Sequence, residues 1–271
     1  MIRSMYSGIS GLKNFQTKLD VIGNNIANVN TYGFKKGRTV FKDLYSQTVA
    51  GASEPGGNRG GVNPKQVGLG SQLATIDTIH SGGSMQTTGN TLDLAIEGDG
   101  FFVVEDGTQR FYTRAGNFYL DAGADAGATE GTLVDSDGRF VLDVEGNQIT
   151  VPLEATSLSI GQNGAVKYVT EADGLTGEQV IAIAKFNNPG GLTKVGGNMY
   201  QESANSGAPS DELTPLEEGR GAIKSGSLEM SNVDLSEEFT EMIVAQRGFQ
   251  ANTRIITTSD EILQELVNLK R

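Results

Sequence analysis

The chain has 271 residues, 37% of them hydrophobic and 20% charged, with 37 glycines, 6 prolines, no tryptophan and a formal net charge of -12. It has no cysteine, which excludes disulfides, thiolate metal sites and a cysteine nucleophile; its one histidine, His80, excludes a multi-histidine metal site and leaves little for imidazole catalysis. The length suffices for one large or two modest domains, no apolar run is long enough to span a membrane, and the amino terminus lacks the continuous apolar core of a secretory signal, so a soluble chain exported by some other route is expected.

The first predicted element is a helix over residues 1–34. Ile2, Met5, Ile9, Leu12, Phe15, Leu19, Ile22, Ile26 and Val29 recur at spacings of three or four and form one apolar stripe. Its end, NNIANVNTYGFKK, is unusual in carrying asparagines whose side chains compete with the helix backbone for hydrogen bonds. Asn30 and Gly33 read as a helix end, with Lys35, Lys36 and Arg38 beyond it near the negative pole. Residues 35–72 follow as a glycine-rich arm or linker, in which the stretch 51–72 holds seven glycines and few large apolar groups. That stretch is the candidate for an adaptable contact.

Residues 73–225 change to period-two alternation and glycine turns, which predicts a β-rich domain. TLDLAIEGDGFFVVEDG reads as strand, turn, strand about Asp99-Gly100, and Asn163-Gly164 is a strong hairpin signal. The final element, residues 226–271, is a helix in which Leu235, Met242, Phe249, Ile256 and Leu263 fall seven residues apart. The row four residues after each reads Phe239, Gln246, Thr253, Asp260 and Val267, an apolar row beside a mixed one. Ile243, Ile255, Ile262, Leu266 and Leu269 widen the stripe, which suggests more than one neighbour. The expected fold class is therefore α+β: a discontinuous helical domain made from both termini as a coiled-coil pair, plus the central β-rich domain.

Motifs that would carry chemistry fail on spacing. GRGAIKSG has Ile223 where a phosphate loop needs glycine before its lysine, and it reads as a connector into the last helix. DSDGR and DVEGN lack the ligand spacing and closing glutamate of a calcium loop and read as hairpin turns. Asp99, Glu105 and Asp106 read as acidic turn residues rather than paired catalytic carboxylates. No enzyme, cofactor or metal is expected. Residues 1–45 carry seven Lys/Arg against two Asp/Glu and residues 227–271 carry four against eight, so the ends attract each other if adjacent, while the acidic middle makes nucleic acid a poor partner. Two long apolar stripes bury poorly within one monomer. If they pack on neighbours through non-identical surfaces, the result is an open helical polymer; the alternatives are an intramolecular helical hairpin docked on the β domain, or an oligomeric stalk bearing a surface-binding module.

LDVIGNNIANVNTYGFKK resembles the amino-terminal signature of the bacterial flagellar axial proteins, the rod and hook family. The resemblance continues through TLDLAIEGDGFFVVEDGTQRFYTRAGNF and KSGSLEMSNVDLSEEFTEMIVAQRGFQANTRIITTSDEILQELVNLKR, so it covers nearly the whole chain. It implies a structural subunit exported through the flagellar type III apparatus without a cleaved signal, located at the cell surface in the hook or basal body, and free of membrane insertion. Its partner would be itself, as a helical homopolymer, together with the distal rod, the hook-filament junction proteins, the hook cap and the export apparatus. The predicted subunit interface comprises Ile9, Leu12, Leu19, Ile22, Asn24, Asn25, Ile26, Asn28 and Val29 at the front, and Leu235, Phe239, Met242, Gln246, Phe249, Ile256 and Leu263 at the back. In that setting the asparagine amides would bond between neighbours and set register. SNVDLSEEFTEMIVAQRGFQANTR is similar to hook members and the length to distal rod members; the expectation is a short hook subunit, with the distal rod as the alternative.

Overall fold

The computed structural model describes residues 2–55, 60–107, 109–122, 129–170, 174–177, 179–210, 214–217 and 219–269. The fold is α+β and divides into two compact units. Unit 1 comprises Met1–Ala27, Gly37–Thr78 and Asp234–Arg271; unit 2 comprises Asn28–Lys36 and Ile79–Val233.

Unit 1 is built on two helices, α1 (Ile2–Ala27) and α2 (Leu235–Asn268). The first helix stops at Ala27 rather than running to residue 34. Thr31 supplies the reason: its N–H and hydroxyl donate to the Asn28 carbonyl and Asn28 Oδ1, both at 3.1 Å, which closes a turn in place of another helical turn. The second helix begins at Leu235 rather than 226, because Asp234 caps it: its carboxylate accepts from the Ser236 and Glu237 amides at 2.8 and 3.4 Å, and Glu237 and Glu238 fill the first turn. The helices lie antiparallel. Gly8 faces Ile256, Gly11 faces Asn252, Gly248 faces the Phe15 ring, and Lys18 pairs with Glu241, so numbers rise along one helix as they fall along the other.

The segment expected as an irregular arm contains a two-stranded ribbon. Gly37–Asp43 pairs antiparallel with Ser71–Thr78, shifting register between Val40 and Phe41; Ser46–Ala50 pairs with Lys65–Gly68, and a bridge joins Ser53 to Val62. Residues 56–59 of the expected arm lie outside the described residues. The base of the ribbon is held to α1 by Asn14 Nδ2 donating to Ser71 Oγ at 2.8 Å and by Gly70, where a Cβ would fall 2.2 Å from Ser10 Oγ. Glycine spacing misled the sequence reading here, because the strands between the glycines are short and polar.

Unit 2 holds the rest of the β structure. Among its described residues the largest sheet has nine strands, all antiparallel, centred on Phe101–Asp106, which pairs with Gln109–Thr113, Phe140–Val141 and Ile183–Ala184. The continuous apolar run Phe101–Val104 makes sense there. Side chains alternate across a strand, so Phe102 and Val104 enter one core with Ile183, while Phe101 and Val103 enter a second with Ala182 and Ala184. DSDGR and DVEGN are tight turns, closed by Asp135 N–H to the Arg139 carbonyl and Asp143 N–H to the Asn147 carbonyl, both at 2.8 Å, with Gly138 and Gly146 at positive φ. Asn163-Gly164 lies in the loop joining Ser157–Ile160 to Val166–Thr170, a loop longer than the two residues the dipeptide suggests. GRGAIKSG is not a connector but includes the strand Ala222–Ser225, paired with Leu94–Glu97.

Candidate assembly interface

The sixteen predicted interface residues fall into three groups. Ile22 and Asn25 are buried inside the chain, at 4% and 2% exposure. Leu12, Leu19, Ile26, Asn28, Val29, Met242, Phe249, Ile256 and Leu263 are half-buried; Ile9, Asn24, Leu235, Phe239 and Gln246 are exposed. The row of sevens from Met242 to Leu263 therefore spends part of its surface within the chain. Its companion row is Glu238, Ala245, Asn252 and Ser259, three residues after each apolar position rather than four; Glu238, Ala245 and Ser259 are buried. Sequence reasoning missed this row because its members are small or polar, although their seven-residue recurrence was present.

Asn25 shows what one of the asparagines does. Its Nδ2 donates to the Gly37 carbonyl at 2.9 Å and to Glu238 Oε2 at 3.2 Å, while its Oδ1 accepts the Gly37 N–H at 2.9 Å. The amide thus joins α1, the ribbon and α2 inside one chain. It lies off the chain's surface, whereas Asn24 lies on it.

Apolar surface remains exposed on α2 in two places. Leu235, Phe239 and Ile243 line one face of its first half at spacings of four; Ile255, Ile262 and Leu266 line a face of its second half, and Leu269 follows just past its end. At roughly 100° per residue, Phe239 and Ile262 point about 140° apart round the axis. The ribbon tip adds Tyr45, Val49, Val62 and Val67, also exposed, with Tyr45 at 86%. Several separate apolar surfaces suit contact with several different neighbours through unlike patches.

In unit 2, the residues 31–36 that follow the asparagines are stitched to the β structure. The Gly33 N–H donates to the Glu229 carbonyl at 2.8 Å; at Gly33, φ is +68° and a Cβ would fall 2.6 Å from Ala115 N, so glycine is required on both counts. Lys35 is fully buried, its ammonium 2.6 Å from Glu229 Oε1 and 2.9 Å from the Ser81 carbonyl. Glu229 Oε2 takes Arg114 Nη1 at 3.3 Å, and its Oε1 also accepts the Gly83 N–H at 3.0 Å. Burial pulls the Lys35 ammonium below the ordinary lysine value, with the Glu229 charge opposing. His80 packs on Phe101 and Tyr200, and its pKa is lowered to about 4 by burial and by the charges of Lys35, Arg114 and Lys194. Lys35, read from sequence as a cation near a helix end, is instead half of a buried ion pair. Adjacent Lys35 and Lys36 are indistinguishable in sequence; only the fold assigns them.

Three family models match: Flagella basal body rod protein over residues 5–35, Flagellar hook protein FlgE/F/G D1 domain over 95–168, and Flagellar basal body rod FlgEFG protein C-terminal over 224–269. The chain is 62% identical over 273 residues to the flagellar basal-body rod protein FlgG of Bacillus subtilis (strain 168), covering 100% of both. The chain belongs to the bacterial flagellar rod and hook family. Two more distant members of that family, both from Borreliella burgdorferi, are a FlgG rod protein, 40% identical over 279 residues, and the hook protein FlgE, 33% identical over 442, each alignment covering 100% of both chains. The rod and hook family consists of structural parts of the flagellum, and the chain is not an enzyme. A 442-position alignment against 271 residues means that the hook relative carries a long stretch with no counterpart here, whereas the rod relatives match in length. Among the described residues, no helix is long and apolar enough to cross a membrane.

Proposed function

We propose that the chain is a rod subunit of the flagellar basal body, of the distal-rod type, polymerising into a straight tube that carries torque outward. The observation that carries this is the full-length match, at 62% identity and equal length, to a rod protein. It replaces the hook expectation, which rested on the stretch SNVDLSEEFTEMIVAQRGFQANTR. In this reading α1 and α2 pair in the manner of a coiled coil to form the tube wall. The exposed stripes on α2 and the ribbon tip seat neighbouring copies through unlike patches, which makes the polymer open-ended. Its partners are other copies of itself and adjoining rod and hook components, and it reaches its site through the flagellar export apparatus without a cleaved signal.

Immunogold electron microscopy of isolated basal bodies, with an antibody to unit 2, tests the assignment. Label on the straight shaft is expected. Label along the curved segment outside the envelope would return the chain to the hook.

A further inference from the structure

Asn163-Gly164 is the one place in the chain where glycine follows asparagine. That order is chemically labile. The backbone nitrogen of the glycine, unshielded by a side chain, loses its proton to hydroxide and attacks the asparagine Cγ; ammonia leaves, a cyclic succinimide remains, and water opens it at either carbonyl to give aspartate or isoaspartate. The fold nevertheless requires the glycine. Gly164 has a φ of +78°, and a Cβ there would fall 2.9 Å from Pro215 Cγ and 3.2 Å from the Ile181 carbonyl oxygen.

The loop ties up the atoms that would have to move. The Gly164 N–H, which carries the attacking nitrogen, donates to the Gly161 carbonyl at 2.9 Å, and Gly164 is buried although Asn163 is exposed. The Gly161 N–H donates to the Ala165 carbonyl at 2.9 Å and closes the loop from its other side. Segments distant in sequence clamp the backbone around the pair: the Gln162 carbonyl accepts the Ile223 N–H and the Gly164 carbonyl accepts the Ile181 N–H, both at 3.0 Å. The Asn163 side chain is held as well. Its Oδ1 accepts the Ala165 N–H at 3.3 Å and sits where a Cβ on Gly161 would come within 2.7 Å of it. To attack Cγ, the Gly164 nitrogen must give up its bond and turn its peptide against these clamps, which means opening the loop.

We propose that Asn163-Gly164 is a self-modification site that folding shuts: it deamidates in the unfolded chain and is held unreactive in the native one. The two products differ in consequence. Aspartate keeps the backbone unchanged and an acceptor oxygen for the Ala165 N–H, so the loop closes on it. Isoaspartate routes the backbone through Cβ and adds one atom to the chain just before Gly164, where Pro215 and Ile181 leave no room. The dipeptide therefore records time spent unfolded, and its isoaspartyl form keeps the loop from closing again.

The test is peptide mapping by mass spectrometry on the full chain, aged in mildly alkaline buffer with and without guanidinium chloride. The peptide containing position 163 should exchange amide for acid in denaturant, and do so at least about tenfold more slowly in the native chain, the factor set by breaking one buried hydrogen bond. In native buffer the Gly164 amide proton should be protected from hydrogen exchange. When the aged, denatured sample is refolded, aspartyl chains should return to the folded fraction and isoaspartyl chains should be depleted from it. Equal deamidation rates in the two conditions, a Gly164 amide that exchanges as fast as in the unfolded chain, or isoaspartyl chains recovered as fully as aspartyl ones would each overturn the proposal.

Discussion

At the scale of single residues, the buried Lys35–Glu229–Arg114 cluster carries the sharpest consequences. A buried ion pair adds little net stability over an apolar pair, but removing one member strands the other. Lys35→Met leaves Glu229 facing Arg114 but removes the ammonium's bonds to Glu229 and to the Ser81 carbonyl, so it should lower the unfolding free energy by about 1–3 kcal/mol, measured as a shift of the urea midpoint at unchanged slope. The double variant Lys35→Met with Glu229→Gln should lose more rather than recover, because Arg114, which Glu229 still neutralises in the single variant, is then a buried cation without a counter-charge. His80 gives a pH dependence. Its pKa is about 4 in the fold against an ordinary value of 6.5, so below pH 6.5 the unfolded chain binds the proton and the folded chain does not. Its contribution to stability should be full above pH 6.5 and fall as pH drops toward 4. The slope of thermal midpoint against pH in that window should flatten in His80→Gln. None of this was legible in the sequence, where His80 offered only little scope for catalysis and Lys35 read as a cation near a helix end, because burial of a charge is decided by a partner 194 positions away.

The elements were more legible than their ends. Both long helices and the β-rich middle follow from periodicity, since a stripe at three and four residues or an alternation at two survives any tertiary context. The ends were lost for a local reason. Asn28, Thr31 and Asp234 stop or start helices through side-chain hydrogen bonds, which apolar spacing does not register. The seam on α2 was misplaced by one residue because the row that packs inward, Glu238, Ala245, Asn252 and Ser259, is not apolar. Small residues set the approach of the two helices, and this is testable. In a solvent-facing helix interior Gly→Ala gains roughly 1 kcal/mol, but a Cβ at Gly248 would lie 2.5 Å from the Phe15 ring. Gly248→Ala should therefore destabilise the helix pair in thermal unfolding followed by circular dichroism. Adding Phe15→Leu should make the alanine less harmful; equal effects in both backgrounds would show that the ring is not the obstacle. Asp234→Ala should cost about 1 kcal/mol through the lost cap, read as a lower midpoint of helical signal.

For the whole molecule, burial separates two kinds of helix substitution that sequence alone treats alike. Ile256 faces Gly8 within the chain, whereas Ile262 is exposed. Ile256→Glu should both lower the stability of unit 1 and stop polymer growth. Ile262→Glu should stop or slow growth while leaving the unfolding transition of the monomer within about 0.5 kcal/mol of its original value. Sedimentation for growth and denaturant unfolding for stability distinguish the two. Normal tubes from Ile262→Glu would remove that stripe from the assembly. The clasp around Glu229 carries a further consequence, in time rather than in space. Unit 2 is closed by residues near its two ends, Lys35 and Glu229, and every ribosome delivers the first long before the second. Until residue 229 emerges, Lys35 has no counter-charge, Gly33 has no carbonyl to donate to, and the strand Ser227–Glu229 cannot pair. The subunit thus spends most of its own synthesis unlatched. It shuts only when the last fifth of the chain arrives, about the moment α2 becomes available to pair with α1.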